Sequence, residues 1–446
     1  MRWLAKHSWK IAIAVMAISA AAAIAVAVHA GNKLVYQDER DYVVLSKNLV
    51  HLHQYSLDGV QPTGSRPPGY IWFLALAETF GASNTALRLF NASTLIFSQL
   101  FLFLLVRRIS SDATAAIAVM LSLFYPVLIY SATVLFPQTL GAALLLCGLW
   151  LIFDKPLTIS KALCAGVVWA ALILTIPTFL IPAGALSVWL FWQRRDFRRV
   201  ALPLVAPLVL LLGAWSVRNY IAFHTPVFIA TNGGVNLLLG NSENVTAVTG
   251  SSADISRYTK IGHQLSEPAR NKYYTEAAKA WIKAHPRKAA RLYVEKLVGY
   301  FSFADRTEAN DRSTPLSDEK QSWREIIMIL TYGPLLLLFA SRILFSVKFP
   351  LSQEEKVLIG LFVANALFAA VFFTRIRFRL PMDWLIFVID ASVILSITSW
   401  LSSPTRMVSR NRKRLKRLAE AESAAVRSAR MRLSRANTGV QTLGQE

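Results

Sequence analysis

The sequence predicts an all-α polytopic membrane protein of about ten transmembrane helices, with an interfacial first outer loop and a small outer-face domain. Two observations carry that prediction. Hydrophobic residues make up 54% of the 446, and they fall in long, sparsely charged blocks of bilayer-crossing length. The formal net charge is +22, and the basic residues collect on alternate loops between those blocks. A soluble chain of this length would divide into about two or three domains. The positive charge also suits nucleic acid. In a membrane protein, basic cytoplasmic loops and anionic lipid are its commoner causes, so no nucleic-acid partner is expected. Cys147 and Cys164 both lie in apolar blocks. They imply no disulfide framework and say nothing of redox compartment.

Taken in order, the expected spans are 11–29, 86–106, 113–131, 135–153, 161–176, 178–192, 201–216, 324–345, 356–373 and 383–401. Pro126 interrupts the third, and Pro177 separates the fifth from the sixth. Arg2, Lys6 and Lys10 precede the first block, and "VHA" before Gly31 resembles a signal-peptide cleavage site. The block exceeds a usual signal-peptide core, which favours a retained helix. The piece 69–81 is too short to span and is expected in the interface.

With the N-terminus inside, one set of loops carries Arg107 and Arg108; Lys155 and Lys161; Arg194, Arg195, Arg198 and Arg199; and Arg342, Lys348 and Lys356. All of these then fall inside, as does the C-terminal tail, in agreement with the positive-inside rule. The stretch 31–85 and the long loop 217–323 fall outside. The expected organisation is a transmembrane module over 1–216, an outer loop domain over 217–323, transmembrane helices over 324–401 and a basic cytoplasmic tail over 402–446. Within the outer loop, Pro268 opens a helical pattern running to His285, and Pro286 opens a second. The tail from Arg406 to Arg435 carries eleven basic and two acidic residues, which suits anionic lipid. No internal repeat is evident, which weakens a transporter reading.

Three short stretches can carry chemistry. The first is "VYQDERDY", residues 35 to 42. Helical phase from Asp38 onward puts Asp38, Tyr42, Leu45, Leu49 and Leu52 on one face, with Glu39 and Arg40 turned away and Asp41 on the flank. A carboxylate at the head of an apolar face suits a general base, because desolvation raises its proton affinity. It equally suits a helix cap. The second is "GSRPPGY" (64–70), a rigid turn that holds Arg66 at its start. The third is "TRIRFRLP" (374–381). The topology puts Arg375, Arg377 and Arg379 outside, against the charge bias of the other short loops. Alternation puts all three on one side of an extended strand, where guanidinium groups match phosphate oxygens or simply anchor in the headgroups. Arg218, in "WSVRNY", is a weaker further candidate. The sequence holds no Walker A loop, no dinucleotide fingerprint and no zinc-type spacing.

Together these motifs resemble the GT-C superfamily of integral-membrane glycosyltransferases. They are most similar to the bacterial branch related to protein O-mannosyltransferases and lipid A aminoarabinose transferases. The pieces are "DERDY", "RPPGY", "LFYPVLIYSATVLFPQTL" (123–140), "WSVRNYIAFHTPVFIATNGGVNLLLGN" (215–241) and "RFRLP" (377–381), in the family's order. The resemblance implies a polyprenyl-phosphate-linked sugar as donor and inverting transfer to a hydroxyl of a lipid, glycan or protein acceptor. It implies action on the outer face of the bacterial cytoplasmic (inner) membrane. The family's first-loop acidic motif falls on Asp38 and Glu39, with Asp38 as base. Its basic residue before the paired prolines falls on Arg66, which would contact the donor phosphate, with the arginines before Leu380 adding to that contact. Members often carry Glu where this chain has Gln138, which puts a second carboxylate role there in doubt; Asp383 also departs from the pattern. No cofactor is required from sequence, and a divalent metal at Asp38 and Glu39 stays open, because some branches use one. The alternative from another class is a transporter or flippase of lipid-linked sugars, gripping phosphate with the same arginines.

Overall fold

The structure, a computed structural model, describes residues 2–193, 195–247, 249–303 and 318–401. The expected tail contact with anionic lipid falls on 402–446, outside the described residues. The chain divides into two compact units, residues 1–392 and 393–446. Of the second, the structure describes the end of one helix. The described residues outside turns and loops are helical.

The first unit opens with α1 (Arg2–Lys6) and α2 (Ser8–Ala30). Gly31 ends α2 at φ 59°, a conformation that favours glycine, and its N–H returns to Ala27 O. The stretch 31–85 folds into α3 (Gln37–His51) and α4 (Pro68–Glu78). Pro68 stands in the first turn of α4, where its missing N–H costs no helical hydrogen bond. The long helix α5 (Asn84–Ile109) follows, capped by the Ser83 side chain. Next come α6 (Asp112–Leu123) and α7 (Val127–Thr133), bent by 70° at Pro126. Then α8 (Gln138–Ile152), α9 (Ile159–Thr175), α10 (Leu180–Gln193) and α11 (Arg195–Phe223) complete the N-terminal helices.

Packing centres on two of these. α5 lies against α2, α6 and α8, and α9 lies between α8 and α11. Gly166 brings α9 so near α11 that a methyl group there would collide with the Leu204 carbonyl. Such small-residue contacts replace hydrophobic drive as a cause of packing inside a membrane.

The long loop folds into α12 (Gly233–Gly240), α13 (Ser256–Gly262), α14 (Glu267–Ala284) and α15 (Pro286–Tyr300). Leu238, Ile255, Tyr274 and Ala278 form its small core. The two proline-opened helices expected at 268 and 286 are α14 and α15. The chain continues through α16 (Asp318–Leu344), α17 (Gln353–Ala369) and α18 (Ile376–Leu401).

Among the described residues, five helices are long and apolar enough to cross a membrane: Ser8–Ala30, Asn84–Ile109, Arg198–Phe223, Trp323–Val347 and Ile376–Thr398. The bent pair α6–α7 makes a sixth if it is one span. The remaining four expected spans fall on α8, α9, α10 and α17, which are only 14 to 17 residues long. The chain is a multi-pass membrane protein. The 69–81 piece is α4, half sunk against α3, α5 and α9.

Candidate functional site

The site is built where α3, the turn before α4 and the start of α18 meet. Asp38 is the second residue of α3. Its Oδ1 accepts from Arg66 Nη2 at 2.5 Å, and its Oδ2 accepts from Arg377 Nη1 at 2.7 Å. The same Arg66 nitrogen reaches Asp41 Oδ2 at 2.7 Å. The three charged side chains around Asp38 form an open rim: Asp38, Arg66 and Arg377 are 19%, 20% and 15% exposed. Below the rim are rings. Arg66 lies 5.4 Å over Tyr42, and Arg377 lies 5.0 Å over both Phe136 and Phe378. Burial by itself would raise the proton affinity of Asp38. The guanidinium groups of Arg377 and Arg66 outweigh it and hold the carboxyl down to about 2.

Each residue is placed by its own element. Arg66 stands before Pro67 and Pro68, which fix the chain direction into α4. Tyr55 donates its hydroxyl to Arg66 O at 2.9 Å. Arg377 lies in the first turn of α18, so the extended strand expected for 375–379 is a helix, and the three arginines part company. Arg375 donates to Thr249 O at 2.9 Å and braces the long loop after α11. Arg379, two residues past Arg377, enters a separate buried cluster. There it pairs with Asp383 at 3.3 Å, donates to Tyr300 O and Ser302 O, and lies 3.8 Å over Tyr332. Arg375 precedes the helix, and a helical rotation of about 100° per residue turns Arg377 and Arg379 to opposite sides, which is why Arg377 and not Arg379 reaches Asp38.

Two further expectations change. Glu39 does not turn outward: it is 1% exposed. Its Oε2 accepts from the N–H groups of Val35 and Tyr36, and its Oε1 from Arg88 Nη1 at 2.6 Å and Leu135 N. The buried face of α3 is Glu39, Tyr42, Val43, Leu45 and Ser46, so Tyr42 and Leu45 of the expected stripe are buried, Glu39 and Val43 widen it, and Leu52 at the far end is exposed. The helix-capping work is thus done by Glu39, and Asp38 spends both oxygens on arginines rather than on backbone N–H groups. Arg218 also lies away from the carboxylates. It donates to Thr63 O and Tyr55 O and sits over the Tyr55 and Trp215 rings, tying down the loop before Arg66.

Two residues escaped the sequence reading. Arg88 donates to Glu39, Thr133 O, Lys33 O and Gly31 O, joining four segments. A lone arginine within the span 86–106 was its only signal. Glu267 grips the turn before Arg66 from the outer loop, and nothing in its sequence context distinguished it from an ordinary first-turn acid.

Among the described residues, no three of His, Cys, Asp and Glu are grouped to hold a metal ion. Both oxygens of Asp38 face guanidinium groups, and both of Glu39 accept from Arg88 or backbone N–H. A divalent ion would have to displace one of these donors. Gln138, the departure from the acidic pattern, is buried with its Oε1 unpartnered.

Neither a protein-family model nor a curated protein matches the sequence. Solved structures do. The oligosaccharyltransferase AglB of Archaeoglobus fulgidus, in complex with an inhibitory peptide and a dolichol-phosphate, aligns at TM-score 0.51 and 16% identity over 90% of this chain and 52% of its own. The same organism's enzyme tethered to an acceptor peptide aligns at 0.51 and 16%, over 90% and 50%. ArnT of Cupriavidus metallidurans bound to undecaprenyl phosphate aligns at 0.40 and 12%, over 87% and 78%. The chain spans about half the length of the archaeal enzyme. The chain shares the polytopic helical fold of the archaeal oligosaccharyltransferase.

Proposed function

We propose that the chain is a glycosyltransferase. It moves a sugar from a polyprenyl-phosphate-linked donor to an acceptor hydroxyl at the outer face of the membrane. The observation that carries this reading is the single carboxylate of Asp38 held between Arg66 and Arg377 at a half-open rim. Two guanidinium groups converging on one anion match a phosphate. The archaeal enzyme that shares the fold was solved with a dolichol-phosphate, which supports a lipid phosphate as the natural anion here.

The steps follow from charge. The donor phosphodiester competes with Asp38 for Arg66 and Arg377. Asp38, released, keeps its burial but loses the two charges that held its proton affinity down, so it becomes a usable base. It takes the proton of the acceptor hydroxyl. The acceptor oxygen bonds to the anomeric carbon from the face opposite the phosphate, and the carbon–oxygen bond to phosphate breaks with inversion. The electron pair leaves on the phosphate, where Arg66 and Arg377 stabilise the growing charge.

Asp38→Asn tests this. Asn offers no base and no longer competes for the arginines. The variant is expected to fold, to bind polyprenyl phosphate at least as tightly as the parent, and to transfer little sugar. Near-normal transfer, followed as a mass increment on acceptor glycans, would rule Asp38 out as base. A second reading, a flippase of lipid-linked sugars, draws on Asp383 and Asp390, both buried within α18. Lipid translocation without any new glycosidic bond would favour it.

A further inference from the structure

We infer that Glu267 is a positioning residue for Arg66, and so sets the affinity of the site for a lipid phosphate. The inference rests on Arg66 being the phosphate contact. Glu267 is the first residue of α14, in the outer loop, and 203 residues from the turn it holds. Its Oε1 accepts from Gly64 N at 2.8 Å and from the Thr231 hydroxyl. Its Oε2 accepts from Thr63 Oγ1 at 2.8 Å. Thr231 N donates in turn to Gly64 O at 2.8 Å, so both backbone groups of Gly64 are held by the outer loop.

The consequence falls on Arg66, two residues on. After Arg66 the chain is stiffened by Pro67 and Pro68, and its own carbonyl accepts from Tyr55. Before it stand Thr63, Gly64 and Ser65, a small-residue run with no stiffness of its own. Glu267 supplies what the run lacks. Three donors, none of them cationic, converge on one carboxylate. Without it the turn that carries Arg66 would be looser once phosphate draws the guanidinium from Asp38, and ordering that turn would be charged against phosphate binding.

A carboxylate that only positions is replaceable by its amide. In Glu267→Gln, Oε1 can still accept from Gly64 N and Thr231, and Nε2 can donate to the Thr63 hydroxyl. An acid that transfers protons is not replaceable in this way.

The test uses the full chain in lipid nanodiscs and undecaprenyl monophosphate as probe, with affinity read by calorimetry. Arg66→Ala and Glu267→Ala are each expected to weaken binding by about tenfold or more, and Glu267→Gln by less than about threefold. The double variant Arg66→Ala, Glu267→Ala is expected to bind no more weakly than Arg66→Ala alone, because both losses act through one side chain. Thr231→Val, which removes one donor and leaves α14 intact, is expected to lose about two- to fivefold and serves if Glu267→Ala does not fold. Full binding by Glu267→Ala alongside a loss in Arg66→Ala would overturn the inference, as would additive losses in the double variant. If Arg66→Ala binds as the parent does, the phosphate reading itself fails and takes the inference with it.

Discussion

Asp38 and Glu39 are neighbours in sequence and opposites in setting. Glu39 is 1% exposed, paired with an Arg88 that is 3% exposed, and every donor around it belongs to the scaffold. Asp38 is 19% exposed and faces two arginines whose other sides reach the rim. Both are carboxylate–guanidinium contacts of nearly the same length. What separates them is whether an incoming anion can replace the carboxylate. At Glu39 any exchange would strand a buried charge, so the pair is fixed. At Asp38 the proposed exchange turns the arginines to a phosphate and leaves the carboxylate open to water and the acceptor. Burial, not pairing, distinguishes a structural ion pair from one that can take part in chemistry.

The largest effect should come from breaking the comparison at its open side. Asp38→Asn is expected to lower turnover by about 10²- to 10⁴-fold, the usual worth of a general base, with a modest fall in the thermal unfolding midpoint from its weaker contacts with Arg66 and Arg377. Asp38 caps nothing, so its loss removes no backbone partner. If the unfolding midpoint drops as far as turnover does, Asp38 is a structural residue after all.

Breaking the closed side should do the reverse. Arg88→Leu strands Glu39 inside the protein and leaves the carbonyls of Gly31, Lys33 and Thr133 without their donor. Removing one partner of a buried pair costs about 3–5 kcal/mol. The expected readout is a large fall in the unfolding midpoint in detergent. Restoring neutrality with Glu39→Gln in the same chain should recover part of it. An Arg88→Leu protein as stable as the parent would mean that Glu39 has water or another partner to turn to.

The same contrast explains what the sequence reveals. The five long membrane helices and the bent pair α6–α7 are legible because apolar length decides them, and α14 and α15 because prolines mark their first turns. The pairing of Asp38 with Arg66 is approached through the acidic cluster and the rigid "RPPG" turn. The phase of α3 is legible only in part. Counting from Asp38 puts Glu39 on the outer side, because a charged residue reads as solvated. Its burial depends on Arg88, forty-nine positions away in a different helix. The "RIRFR" run misleads in a similar way. Alternating arginines look like a strand, but the helix continues from the following apolar residues back through Ile376 and scatters them. Glu267 carries no local signal at all, since its contacts with Thr63 and Gly64 exist only once the long loop folds back on them.

Within the run of arginines the comparison sharpens again. Arg377→Ala removes one of the two charges on the donor phosphate and should lower turnover by about 10²- to 10³-fold, the usual cost of one preorganised donor. Arg375 and Arg379 serve other contacts. Replacing the buried pair Arg379 and Asp383 together by Met and Leu should leave donor affinity within about threefold, because a buried ion pair is often replaceable by apolar side chains of similar volume. Equal losses at Arg377 and at the Arg379–Asp383 pair would mean that both clusters grip the donor.

The smallest expected effect is a displacement of pH limbs, and it tests the exchange of partners directly. In the free enzyme the Asp38 carboxyl is held at about 2, below its ordinary 3.8. A lowered value means that the charged form is favoured by folding. Its contribution to stability is therefore full above the ordinary value and is lost as pH falls through about 2. The acid limb of kcat/KM for the donor reports the free enzyme, so Asp38 should impose none on it above about pH 3. Once the donor holds Arg66 and Arg377, burial acts on Asp38 without that opposition, and its proton affinity rises. The acid limb of kcat, which reports the complex, should then lie at higher pH than that of kcat/KM. Arg377→Ala removes the larger of the two opposing charges before the donor arrives, so it should bring the two limbs closer together. If the parent already shows coincident limbs, the arginines do not leave Asp38 when phosphate binds, and the carboxylate at the rim is as fixed as the one buried beside it.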